Sequence, residues 1–121
     1  MGRRTIVVVE GSGAVQELIE DALRDAGHRV LVTRSPDEAL ELGRRVRIDA
    51  LVADVALDRE RPDIVRRLRT IQPSLPVVFL ADREGAREEE VENSSSLRTP
   101  FSLGELQETV AAAVDGRVDP L

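Results

Sequence analysis

Short apolar runs alternate with amphipathic stretches along this chain. Thr5–Val9 is a continuous β-branched run, too short for a helix and typical of a strand that is buried on both faces of a sheet. Arg29–Thr33, Leu51–Ala53 and Pro76–Leu80 are comparable runs, and Leu97–Thr99 is a less apolar fifth one. The pattern therefore predicts five strands, the third of which ends at an acidic residue.

Between the strands, apolar residues recur at helical spacing. From Gly13 to Ala26 they recur every three or four positions, and Gly27 follows, where the left-handed backbone of a helix end costs glycine nothing. The segment Ser35–Glu38 (SPDE) predicts the start of a second helix. Its serine can cap the helix, its proline suits the first helical position, and its glutamate can close a capping box.

The rest of the chain predicts two further helices and two polar segments. Pro62 opens a helix that Gln72-Pro73 ends, and Ser102 starts a last helix with the same capping pattern. The polar stretch between the fourth and fifth strands has room for a short helix around Ala86–Val91. We assign residues 1–115 to one domain and residues 116–121 to a tail or linker.

Strands and helices that alternate five times predict a doubly wound α/β fold, a parallel sheet with right-handed crossovers and helices on both faces. In such sheets, ligands bind at the carboxyl ends of the strands, where the strand order reverses. Glu10 ends the first strand and Asp54 ends the third. In the order 2-1-3-4-5 these strands are neighbours, so we expect the two carboxylates to converge at the switch point.

Composition narrows the function classes. The 121 residues suit one domain, and the apolar 41% is nearly all aliphatic, with two Phe, no Trp and no Tyr. The absence of cysteine excludes disulfides and thiolate metal sites. An excess of 23 carboxylates over 17 Lys plus Arg argues against nonspecific nucleic-acid binding, and no apolar run reaches the roughly 20 residues of a membrane helix. We expect a cytoplasmic protein that binds neither nucleic acid nor membrane directly.

Five segments occur in an order and spacing that are specific in combination: VVVEGSGAVQELIEDAL, SPDEALEL, DALVADVAL, LPVVFL and LRTPFSLGEL. Through them the chain resembles the receiver domain of bacterial response regulators, from about Arg4 to Val114. The resemblance implies a flavodoxin-like sheet in the order 2-1-3-4-5 and a signalling module rather than an enzyme. It also implies a histidine kinase or another signalling protein as partner, and it leaves a homodimer open.

The same resemblance implies a site. Asp54 matches the aspartate that accepts a phosphoryl group, and Glu10 matches an acidic residue that helps to hold Mg²⁺. Three positions depart from the family pattern: Gly11 replaces a second acidic residue, Ala81 a hydroxyl residue and Thr99 a lysine. The loss of the second acidic residue implies that Glu10 and Asp54 bind Mg²⁺ weakly, if at all. The loss of the hydroxyl and the lysine implies that two groups that stabilise the phosphoryl group are missing.

The departures favour an atypical receiver that acts as a protein–protein interaction module and retains Asp54. An ordinary receiver, phosphorylated on Asp54 by a histidine kinase with Mg²⁺, is the alternative. We expect the output face to comprise the helical region around Ala86–Val91, the fifth strand and the last helix. Ser96 stands where the family usually has an aromatic residue, and the segment VALDRERP after Asp54 is expected to be a loop.

A second alternative is a small nucleotide-binding domain that uses the Gly11-Ser12-Gly13 turn, which follows a strand and opens a helix. Gln16 stands where the third glycine of a dinucleotide fingerprint would be, so the fingerprint is incomplete. His28 is expected to be an exposed turn residue, and Glu10 a solvated one. The sequence leaves open whether the Thr99-Pro100 peptide is cis.

Overall fold

The computed structural model describes residues 3–81, 94–98 and 100–116, with Asp58 described in its backbone only. The five strands are β1 (Thr5–Val9), β2 (Arg29–Thr33), β3 (Ala50–Asp54), β4 (Val77–Ala81) and β5 (Ser94–Arg98). The described helices are α1 (Gly13–Asp25), α2 (Pro36–Arg45), α3 (Val55–Glu60), α4 (Asp63–Ile71) and α5 (Leu103–Asp115).

The strands form one parallel sheet in the order β2-β1-β3-β4-β5. This confirms the predicted flavodoxin-like strand order. In the register of β1 and β3, Val9 lies opposite Ala53. The residues that follow, Glu10 and Asp54, therefore lie side by side at the carboxyl end of the sheet.

Alternate side chains of each central strand pack against different helices. Ile6 and Val8 belong to one buried cluster, which includes apolar residues of α1 and α5. Val7 and Val9 belong to the other, with residues of α2 and α4. Phe79, the largest fully buried side chain, lies in this second cluster. Helices therefore cover both faces of the sheet, as the doubly wound fold requires.

Serine caps start three of the helices. The hydroxyl of Ser102 accepts a hydrogen bond from the Glu105 N–H, and the Glu105 carboxylate accepts one from the Ser102 N–H, which completes the predicted capping box. Ser35 caps α2 through the Glu38 N–H. The backbone N–H of Ser35 donates instead to the Thr33 hydroxyl at 3.0 Å, so the box expected at Ser35 is only half formed.

Two elements differ from the prediction by more than a single residue at either end. The segment after Asp54 begins as helix α3 rather than a loop, because Asp54 Oδ1 accepts a hydrogen bond from the Ala56 N–H at 2.8 Å and caps it. Strand β5 begins at Ser94 rather than Leu97, since backbone pairing with β4 extends it into a run of serines. Serines of this kind carry little strand propensity of their own.

Helix α5 ends at Asp115, next to the boundary predicted for the domain. The predicted helix around Ala86–Val91, the Thr99-Pro100 peptide and residues 117–121 of the predicted tail lie outside the described residues. Among the helices that are described, none combines the length and the apolar character that a membrane span requires.

Candidate functional site

Two carboxylates lie together at the carboxyl end of the sheet, where β1 and β3 end. Glu10 and Asp54 both line a cavity of about 470 Å³. The other described residues that line it come from the start of α1, the end of β4 and the approach to α5: Ser12, Val15, Leu18, Ile19, Leu80, Ala81, Pro100, Phe101 and Leu103. The parallel sheet thus places both acidic candidates in one concave site.

Glu10 is buried, with only 7% of its surface exposed. Its Oε1 accepts a hydrogen bond from the Ser12 N–H at 3.1 Å, and its backbone N–H donates to the Thr33 carbonyl. The expectation of a solvated Glu10 is therefore wrong, because Glu10 directly follows the buried strand β1 and its carboxylate bonds to the backbone of the next turn. Within the described part of the chain, no ion pair involves Glu10.

Asp54 is half-buried and has two roles in the structure. It ends β3, and its side chain caps α3 through the Ala56 N–H. That hydrogen bond fixes the carboxylate at the rim between strand and helix, where it lines the cavity. The side chain is therefore held in place and still reachable from the cavity.

Gly11 and Ala81, two of the three positions that depart from the family pattern, lie among the residues that the structure describes. Gly11 is exposed, and a Cβ added to it would meet no atom within 4 Å, so a side chain can be added at this position without a steric clash. Ala81 ends β4, is 1% exposed and lines the cavity without a hydroxyl. Thr99, the third departure, lies outside the described residues.

Glu10 and Asp54 provide only the small number of protein ligands that a Mg²⁺ site uses. Mg²⁺ is held in proteins by one or two carboxylates with water or phosphate oxygens at the other positions. Glu10 and Asp54 can supply two carboxylates, although one oxygen of each already accepts a backbone N–H. In the described ranges, no group of three or more His, Cys, Asp or Glu is arranged to hold a metal. These two residues would hold the ion with most of its hydration shell retained.

The glycine-rich turn between β1 and α1 is not arranged for a phosphate. Ser12 caps α1, and its backbone N–H, which a phosphate would need, already donates to Glu10 Oε1. Glu10 and Asp54 also place two negative charges in the same cavity. This geometry weighs against the nucleotide-binding alternative, since phosphate oxygens need donors and positive charge.

The sequence analysis did not predict an ion-pair network between the starts of α2 and α4. The Arg61 guanidinium donates to Asp37 Oδ1 at 3.1 Å and to Asp63 Oδ1 at 3.2 Å, which ties the start of α4 to the start of α2. The hydrogen bond from Arg61 lowers the pKa of Asp63 below its ordinary value. Asp37 and Arg61 are 24 residues apart, so no local pattern signals the pair.

Two other residues of the sequence analysis lie away from the cavity. His28 is half-buried rather than exposed, because it packs at the amino end of the sheet between α1 and β2. Ser96 lies on β5 opposite Phe79, and its side chain is exposed. Neither residue takes part in the carboxylate site.

The sequence model described as "Response regulator receiver domain" matches residues 6–111. The chain belongs to the response regulator receiver family. It is therefore a receiver domain of two-component signalling, and the family recognition made from the five segments is confirmed. Receivers are in general signalling modules rather than enzymes.

Individual receivers show the same relationship. The response regulator MprA of Mycobacterium leprae is 32% identical over an alignment of 112 positions, which covers 88% of this chain and 49% of that protein. The receiver domain of the sensor histidine kinase PA1611 from Pseudomonas aeruginosa gives a TM-score of 0.81 at 26% identity, covering 95% of this chain and 100% of that one. That structure holds a magnesium ion in its active-site cleft.

A receiver protein from Sinorhizobium medicae, 23% identical, gives a TM-score of 0.81 over 96% of this chain and 98% of that one, and so shares the fold. The chain spans about half the length of the curated relative from Mycobacterium leprae. The receiver fold is thus common to this chain and the two solved structures.

Proposed function

We propose that this receiver acts mainly as a protein–protein interaction module, in which Asp54 is retained but weakly supported as a phosphoacceptor. The observation that carries the proposal is the composition of the cavity wall. Its only charged groups, among the described lining residues, are the carboxylates of Glu10 and Asp54. The methyl group of Ala81 stands where a receiver normally offers a hydroxyl.

The chemistry of phosphoryl transfer explains why this composition matters. When Asp54 attacks a phosphoryl group, negative charge accumulates among oxygens that already repel one another, and bound Mg²⁺ would supply the neutralising charge. Glu10 and Asp54 add negative charge, and Gly11 and Ala81 add no ligand. Loss of a single donor to a developing oxyanion commonly costs about 10²–10³-fold in rate. Slow phosphorylation of Asp54 follows.

An ordinary receiver, phosphorylated on Asp54 with Mg²⁺, is the second candidate. The position of Asp54 favours it, because the carboxylate is held at the end of β3, half-buried, beside Glu10. Amide NMR spectra during a Mg²⁺ titration, followed by beryllofluoride as a phosphoryl mimic, separate the two candidates. We expect little change at Glu10, Asp54 and Ala81 up to about 10 mM Mg²⁺.

A gain-of-ligand variant sharpens this experiment. Gly11→Asp adds the second acidic group at a position with room for it, and we expect Mg²⁺ to bind about tenfold more tightly. Ala111→Asp, on an exposed position of α5 that does not line the cavity, is the matched control and should change nothing. Strong beryllofluoride shifts in the native chain that disappear in Asp54→Ala would overturn the proposal and make the ordinary receiver the better conclusion.

The partner is then a histidine kinase, another signalling protein or a second copy of the chain, met in the cytoplasm. We place the contact on the face that includes β5 and α5. Ser95, Ser96 and Arg98 support this placement, since all three are exposed on the edge strand of the sheet.

A further inference from the structure

The cavity that holds Glu10 and Asp54 is amphipathic. Its two carboxylates come from the carboxyl ends of β1 and β3, and the other described residues that line it are almost all apolar. Three wall residues remain well exposed although they are large and apolar: Val15 at 39%, Leu18 at 55% and Leu103 at 43%. Exposed apolar residues gathered around a concavity mark a surface suited to a partner or ligand.

Among the described residues, no cation pairs with the two carboxylates. Glu10 is more than nine-tenths buried and lines the cavity, yet within the described residues its Oε2 has no hydrogen-bond or ion-pair partner. No Lys, Arg or His is among the described lining residues. A buried carboxylate without a cation is costly, so the site gains most from a ligand that brings positive charge.

We propose that this cavity binds a small organic cation, a primary ammonium group on an apolar body of about six carbons. The ammonium group would lie at the carboxylates of Glu10 and Asp54, where it can donate charge-assisted hydrogen bonds. The apolar body would cover Val15, Leu18 and Leu103. At about 470 Å³, the cavity is within the range of small-molecule sites, roughly 300–1,000 Å³.

Other ligand classes fit the same walls less well. A hydrated metal ion meets the carboxylates but leaves the apolar walls exposed to water. A neutral apolar ligand covers the walls and deprives Glu10 of water without supplying a donor. An anion is repelled by both carboxylates. Of these four ligand classes, the organic cation is the one that satisfies both the carboxylates and the apolar residues of the cavity.

Calorimetry and amide NMR with the full chain test this inference with n-hexylammonium as the probe. Hexanol and hexanoate are the matched neutral and anionic probes, and ammonium chloride tests charge without an apolar body. We expect saturable shifts at Glu10, Leu18, Asp54 and Phe101 with hexylammonium, and at least about tenfold weaker binding of the other three. Hexanol binding as tightly as hexylammonium would overturn the proposal.

Variants locate the binding. Glu10→Gln and Leu18→Ser should each weaken hexylammonium binding by about tenfold, through loss of charge and of apolar contact respectively. Glu108→Gln, which removes an exposed carboxylate on α5 that does not line the cavity, should leave binding unchanged. Equal weakening in Glu108→Gln would show nonspecific attraction to an acidic protein and contradict the inference. None of these readouts involves Mg²⁺ or beryllofluoride, so the inference and the proposed function can fail separately.

Discussion

Two buried carboxylates at opposite ends of the same sheet differ in the number of hydrogen-bond and ion-pair partners that they have. Asp49 at the amino end and Glu10 at the carboxyl end are each 7% exposed. Asp49 accepts a hydrogen bond from the Thr5 N–H at 2.7 Å, and its other oxygen pairs with Arg47 at 3.3 Å and with Arg4 at 4.0 Å. Glu10 accepts one N–H, from Ser12, and pairs with no described cation.

The difference extends to the surrounding polar groups. At the amino end, the Gln72 side chain donates to the carbonyls of Gly43 and Val46, and accepts from the Ile48 N–H. At the carboxyl end, the Gln16 side chain makes a single contact of 3.5 Å with the Glu10 carbonyl. The polar groups described around Asp49 are satisfied and stabilise the fold, whereas Glu10 retains one oxygen with no described partner, which a ligand can use.

The largest effect that separates the two ends is expected from Gln72→Ala. The change removes three hydrogen bonds between the Gln72 side chain and the backbone, so the free energy of unfolding should fall by roughly 2–4 kcal/mol. Gln16→Ala is the matched control at the carboxyl end, because Gln16 makes one long contact and alanine favours a helix. We expect it to be neutral in urea unfolding. Similar losses in both variants would contradict the contrast between the ends.

The second prediction neutralises the two carboxylates without changing their shape. Asp49→Asn should lower the free energy of unfolding by about 1–2 kcal/mol, because it removes the charge that Arg4 and Arg47 face. Glu10→Gln should be neutral or stabilising by up to about 1 kcal/mol, since it removes a buried charge that lacks a cation. Urea unfolding midpoints of both variants measure the difference. A destabilised Glu10→Gln would show that the carboxylate is already compensated.

The carboxyl end was largely predictable from the sequence, and the amino end was not. Glu10 and Asp54 follow strands with an unmistakable apolar pattern, and parallel topology alone makes strand ends meet. The burial of Glu10 was not predicted, because it depends on how the ends of neighbouring strands pack. The partners at the amino end are distant in sequence, 44 residues for Asp49 and Thr5 and 24 to 29 for Gln72. The local pattern of apolar and polar residues does not predict contacts between residues that are so far apart in the sequence.

Helix α3 shows the same limit on a shorter scale. The segment after Asp54 has no serine or proline that would signal a helix start. The sequence analysis interprets Asp54, which caps the helix, only as a site residue. One side chain therefore performs both tasks. Sequence reasoning that assigns one role to each residue misses an element whose cap is also its functional group.

The smallest expected effect tests the amino end through pH. Desolvation lowers the pKa of His28 below its ordinary value of 6.5, Arg4 acts in the same direction, and Asp49 and Asp115 oppose it. Protons therefore bind the unfolded chain more tightly than the folded one. Stability should be constant at alkaline pH, fall slightly as the pH drops through about 6.5, and level off below the folded pKa.

Urea unfolding midpoints between about pH 8 and about pH 5 measure this slope, and His28→Gln should flatten it. His28 is the only histidine in the sequence. The pKa of Asp63 is lowered below its ordinary value of 3.8, so the stability that Asp63 contributes is lost only at a more acidic pH. A slope of the same size in His28→Gln would mean that another group at this end titrates. The interactions described for Asp49, which distinguish it from Glu10, would then not account for the pH dependence.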